Sequence, residues 1–129
     1  MLDTLAILLA LAANDPLDVT GRWVIPAEEE GGPTRGTVEI VMEEGAPVGR
    51  IVEVGEVFAE TPEAEGAIGT TVLWDFERDE DEWDDGKILD PEADRTYGAK
   101  IHREGDTLSV KGCIAFFCQS QVWQPAAAE

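Results

Sequence analysis

The sequence predicts an all-β fold, an eight-stranded antiparallel up-and-down barrel formed as a single domain over residues 13–129 and preceded by a signal segment over residues 1–12. Three observations predict it. Short segments of period-2 alternation recur from residue 21 to residue 124 with turn residues between them. No helix-period segment longer than the N-terminal apolar run competes with them. A sequential meander also leaves two exposed edges unless its last strand pairs with its first, and closure removes both. An open sandwich of the same strands is the alternative.

In chain order, residues 5–13 form an uninterrupted apolar run, far short of the roughly 20 residues a membrane-spanning helix needs and the size of a secretory leader. Ala10-Leu11-Ala12 offers the small-x-small pattern at which a leader is cut, so the mature chain is expected to begin at Ala13. Residues 1–4 carry Asp3 and no Lys or Arg, unlike an ordinary leader's basic start. An N-terminal helix packed on the domain is the alternative, but the run lacks the polar and apolar alternation of such a helix. No cysteine follows it, so no lipid anchor is expected.

Strands are expected near residues 21–26, 36–44, 48–55, 70–78, 82–90, 95–103, 106–113 and 118–124. The first ends at Pro26, and residues 28–35 form a charged loop containing Gly and Pro. In the second, Val38, Ile40 and Met42 face one way and Thr37, Glu39, Val41 and Glu43 the other. Gly45-Ala46-Pro47 turns the chain into a β-branched third strand, which Gly55 closes. The connection over residues 56–69 is the long one; Thr61-Pro62 and Gly66 break any regular element in it, and it is expected to lie over a barrel mouth. After the fourth strand, the acidic run over residues 77–85 makes the turn. Further on, Tyr97, Ala99 and Ile101 alternate with polar neighbours, Glu104-Gly105-Asp106 supplies the φ > 0 residue of a hairpin turn, and Leu108 and Val110 alternate in the return strand.

The order of these residues carries a resemblance. Trp83, Gly86-Lys87-Ile88 and Asp90-Pro91 are followed by Thr96-Tyr97, Ala99, Gly105-Asp106-Thr107-Leu108, Val110, Gly112-Cys113, Gln121 and Trp123; upstream stand Gly21-Arg22-Trp23 and Gly49-Arg50-Ile51-Val52. Together they resemble the bacterial domain-of-unknown-function family 2147 over most of the chain after Asn14. The resemblance implies a small secreted protein with a lipocalin-like barrel, in a family with no established activity. Two positions depart from the family pattern: the turn at Asp94-Arg95 lacks its usual glycine, and the chain reads Trp123-Gln124-Pro125 where the family has W-T-R.

Composition narrows the partners. Nine Lys and Arg stand against 28 Asp and Glu, a formal net charge of -19. Nucleic acid is not expected as a partner, because its phosphates would be repelled and no basic stripe overcomes that. An anionic membrane surface is disfavoured for the same reason, and no membrane insertion is expected once the leader is removed. The acidity reads first as a solubility device.

Candidate chemistry is sparse. His102 is the one histidine and alternates with Tyr97, Ala99 and Ile101, so it points outward if they point in. No Cys-His or His-x-His spacing suits zinc, and Gly31-Gly32-Pro33 precedes a strand rather than the helix a phosphate loop needs. Asp75, Glu77, Asp79, Asp81, Asp84 and Asp85 fail as a calcium loop: counted from Asp75, the sixth and twelfth positions are Glu80 and Gly86, where Gly and Glu are required. The run reads as a solvated turn. With no paired acid and base to assign, neither catalysis, nor a metal, nor a cofactor is expected.

Cys113 and Cys118 flank Ile114, Ala115, Phe116 and Phe117 at a hairpin tip, and in an exported protein such a pair is expected to be joined. Trp23, Trp74, Trp83 and Trp123 sit within strands, as core first and ligand wall second. With Tyr97, and Phe58 of the long loop, they are the candidate ligand-binding residues. The function expected is a periplasmic or extracellular barrel that binds a small apolar or amphipathic molecule; the alternative is a non-catalytic envelope protein with a filled barrel, acting through its acidic surface.

Overall fold

Alternation of apolar and polar side chains makes each strand two-faced, and the strands bury their apolar faces by curling into one wall. The computed structural model describes residues 15–27, 35–55, 64–91 and 94–126. Its strands are β1 (Gly21–Ile25), β2 (Gly36–Glu43), β3 (Ala46–Val54), β4 (Thr71–Trp74), β5 (Glu77–Asp79), β6 (Glu82–Asp90), β7 (Arg95–Glu104), β8 (Thr107–Ile114) and β9 (Phe117–Pro125), with one helical turn, α1 (Ala64–Ala67).

The sheet closes. β1 pairs with both β2 and β9, and β4 pairs with β6, so eight antiparallel staves ring the core. The strand expected over residues 70–78 is the one that breaks. Asp75 takes φ 63°, which a continuing strand cannot use, and β4 and β5 each pair with β6 on their own side of the break. The acidic run is therefore a short hairpin, β5 to β6, rather than one long turn.

Other expectations shift by a few residues. The β2–β3 turn is Glu44-Gly45, both at positive φ (51° and 86°), the pattern of a two-residue hairpin loop whose twist matches its strands. Pro47 thus lies inside β3, buried, and not in the turn. Met42 does not share the burial of Val38 and Ile40; it is 45% exposed where β2 runs past the core. Gly66, expected to break any regular element, lies within α1, and Ala67 is buried against the barrel, so the end of the long connection is pinned. At the turn that lacks its usual glycine, Asp94 itself adopts φ 52°, which a short polar side chain tolerates.

One end of the barrel is filled. Residues 15–20 cross it: Val19 is fully buried, Arg103 N donates to Pro16 O, and the indole N–H groups of Trp23 and Trp83 donate to Val19 O and Leu17 O, each at 3.0 Å. The guanidinium of Arg103 stacks 5.7 Å from the Trp23 ring centre. Ile40, Leu73, Phe76, Ile101 and Leu108 complete this packed half.

Bulges decide which side chains point in. Trp83 pairs with Ile101 but Gly86 with Ala99, so β6 carries one extra residue there, with Asp85 at φ 53°. The phase flips, and Gly86 and Ile88 rather than Asp85 and Lys87 face the interior. A second extra residue, Val72, sits between the pairs Gly49↔Leu73 and Arg50↔Thr71, and both Val72 and Leu73 end up buried.

Candidate functional site

Among the described residues, the other end of the barrel holds a cavity. The last residues of β1, β3, β6 and β8 and the first of β2, β7 and β9 converge there without a crossing segment among the described residues, leaving a cavity of about 470 Å³. Its lining is graded. Ile51, Val72, Val110 and Trp123 are buried at the floor, Ile25, Val54, Ile88, Leu89 and Tyr97 are half-buried on the walls, and Ile114, Phe117, Gln119 and Gln121 are exposed toward the mouth.

Two polar features sit on this apolar surface. Arg35 Nη2 and Asp90 Oδ1 lie 3.2 Å apart, joining the chain just before β2 to the end of β6 across the mouth, with side chains 21% and 29% exposed. Partial desolvation makes such a pair count for more than a surface one. Trp123 Nε1 donates to Gln121 Oε1 at 3.0 Å, which satisfies the indole at the floor and holds the glutamine beside it. The cavity can therefore take an apolar body and meet a polar end with amides, a phenol and a charge pair.

The mouth's β8–β9 side is braced. Cys113 and Cys118 are directly paired across the ladder with Cα atoms 4.1 Å apart, and they form a disulfide. Ile114 and Phe117, the next pair outward, line the mouth.

The six aromatic candidates separate. Tyr97 and Trp123 line the cavity. Trp23 and Trp83 belong to the filled end, where their N–H groups hold the N-terminal segment. Trp74 lies on the outside, in an acidic groove with Glu43, Glu44, Asp75, Glu77 and Asp85. Phe58 lies outside the described residues, as do residues 1–12 and most of the connection over 56–69. The aliphatic lining was missed: Ile51, Val110 and Ile88 were visible as apolar strand residues, but which end of the barrel each serves depends on pairing between distant strands, and for Ile88 also on the bulge at Asp85, which leaves no mark in the pattern.

Several other charged groups among the described residues lie on the outer wall. His102 Nε2 meets Glu104 Oε1 at 2.8 Å on the outer face of β7. Asp79, Glu82 and Asp84 bring carboxylate oxygens within 4.8 Å of one another on the β5–β6 hairpin, and Lys100 Nζ offsets Asp84 at 3.6 Å. Glu43 accepts two hydrogen bonds from the Arg50 guanidinium, which hold its carboxyl below the usual carboxylate range.

Residues 15–125 match the family described as "Uncharacterized protein conserved in bacteria (DUF2147)". A solved structure from Helicobacter pylori, a protein described as belonging to the lipocalin family, superposes with a TM-score of 0.65 at 12% identity, over 86% of this chain and 84% of that one. At that identity the likeness is one of fold, and the fold is lipocalin-like. Among curated proteins no match is found.

Proposed function

The chain belongs to the family of uncharacterized proteins conserved in bacteria (DUF2147), and from that premise we propose that it is an exported binding protein whose barrel holds one small apolar or amphipathic molecule. The observation that carries the reading is the graded cavity. Its volume of about 470 Å³ falls inside the range of roughly 300–1,000 Å³ typical of small-molecule sites. An apolar floor, where the Trp123 indole is satisfied by Gln121, with the other polar groups toward the mouth, suits a ligand that enters apolar end first. Binding rather than catalysis is favoured because the polar groups on the lining are an ion-paired Arg35 and Asp90, two amides and a phenol, with no base set beside a nucleophile.

Among the described residues, the segment 15–20 closes one end of the barrel and the cavity occupies the other, which favours binding over the filled-barrel alternative. Export is supported by the leader-like run over residues 1–12 and by a disulfide, a bond that persists in the periplasm or outside the cell. N-terminal sequencing of exported protein should return Ala13 or Asn14; a chain beginning at Met1 would retire the leader.

The binding test is a titration of the intrinsic tryptophan emission with fatty acids of graded length and with an apolar dye. A saturable change is expected, because Trp123 forms part of the cavity floor. No saturable change with any of them would retire the binding reading.

A further inference from the structure

Residues 112–126 contain no charged side chain, in a chain whose net charge is -19. They form the end of β8, the tip Ala115-Phe116 and all of β9. At the tip, Phe116 is entirely exposed at 104% of its reference area, and Phe117 and Ile114 are 66% and 52% exposed. β1 meets β9 only at Trp23↔Pro125 and Val24↔Gln124, since Pro26 follows its last residue, so the first half of β9 is laddered to β8 alone among the described residues. The Cys113–Cys118 disulfide holds this finger in shape.

Three large apolar side chains on a narrow convex tip need an occupant. A protein partner, or a second copy of this chain, fits poorly: a stable interface covers about 800 Å² on each side, and a finger of this kind offers a fraction of that, with no charge to set register. A lipid surface needs neither breadth nor register. It does need the approaching surface to be free of negative charge wherever its headgroups are anionic, and this tip is the uncharged part of an acidic molecule.

We propose that the β8–β9 tip docks the protein, cavity mouth first, on a zwitterionic lipid surface, with Phe116 inserted among the acyl chains and Ile114 and Phe117 at the interface. Ile114 and Phe117 also line the cavity mouth, so the apolar tip is continuous with the cavity lining, where Gln119 and Gln121 follow on β9. That continuity makes the tip a route for ligand between bilayer and barrel, a role that rests on the binding function proposed above; the docking itself does not.

The test is flotation of the disulfide-bonded protein with phosphatidylcholine vesicles, beside Phe116→Ser and Phe116→Trp. The wild type and Phe116→Trp should float, and Phe116→Ser should partition about tenfold less, the loss expected for one inserted phenyl group. Emission added by Phe116→Trp over the wild type should shift to the blue and be quenched by lipid brominated in its acyl chains. Mixing in phosphatidylglycerol should weaken binding, and salt should restore it as the repulsion is screened. Absence of flotation and of bromolipid quenching would overturn the proposal, as would self-association that Phe116→Ser abolishes, which would assign the tip to a second copy. Dye binding measured without vesicles separates the two ideas. Its presence without vesicle binding sinks the docking alone, and its absence with vesicle binding intact sinks the cavity reading while upholding the docking.

Discussion

Trp123 is buried at the cavity floor and tied through its N–H to Gln121, whereas Trp83, equally apolar and equally within a strand, is tied to Leu17 O at the filled end. Their substitutions should therefore separate binding from stability. Trp123→Phe should remove most of the ligand-induced emission change and weaken binding measured by the dye's own fluorescence. Trp83→Phe should leave dye affinity unchanged and lower stability by about 1 kcal/mol, the net worth of one hydrogen bond whose acceptor is left behind. Urea unfolding of both variants beside dye titration checks the pair, and equal effects on binding would contradict the division of the barrel. Nothing in the residues themselves announced this difference. Each tryptophan stands in an alternating strand, and only the partner of its N–H tells which end it serves.

Gly86 shows what a bulge asks of its element. The extra residue in β6 turns Gly86 inward beneath Phe76, whose ring atoms would lie 2.2 Å from a Cβ added at this position. Gly86→Ala should cost about 1–3 kcal/mol, since the ring must leave its place in a packed core. Urea midpoints for Gly86→Ala with and without Phe76→Leu provide the check: the second substitution should recover part of the loss. At the other end of the sheet, the β8–β9 hairpin is closed by its disulfide. Cys113→Ser should cost about 2 kcal/mol by loop entropy for so short a loop, and thermal unfolding with and without reductant should give matching losses for the wild type. The hairpin and its cysteine pairing were readable in advance because two cysteines flank one tip in a chain expected to be exported; the structure shortens that tip to Ala115-Phe116, with Ile114 and Phe117 already paired. The break at Asp75 was not, because a single residue at φ 63° within an apolar and acidic stretch has no compositional signature.

At the scale of the whole molecule, a net charge of -19 acts on a small barrel through self-repulsion. Local pairing relieves part of it, as in the row formed by Arg22 with Glu39 and by Arg50 with Glu43 on the outer faces of β1, β2 and β3. The rest is open to screening. Raising ionic strength from about 0.01 M to 0.15 M shortens the Debye length from roughly 30 Å to 8 Å, less than the span between opposite walls and their turns. The urea midpoint should therefore rise with sodium chloride over this range and then level off. A midpoint that fell would mean that the surface ion pairs outweigh the general repulsion.

The sequence by itself determined the closed all-β barrel, its strand order and all but a few strand limits, because period-2 patterning and turn residues are local properties and closure follows from the cost of two free edges. It also determined the cysteine pairing and the uncharged stretch that precedes the C terminus. Tertiary structure alone decided where the barrel is filled and where it is hollow. That outcome depends on residues 15–20 folding back to give two distant tryptophans their acceptors, on bulges at Val72 and Asp85 that change which side chains face inward, and on Arg35 reaching Asp90 across the mouth. Each joins residues far apart in the chain or turns on one backbone angle, and neither kind of information is carried by the spacing of apolar residues.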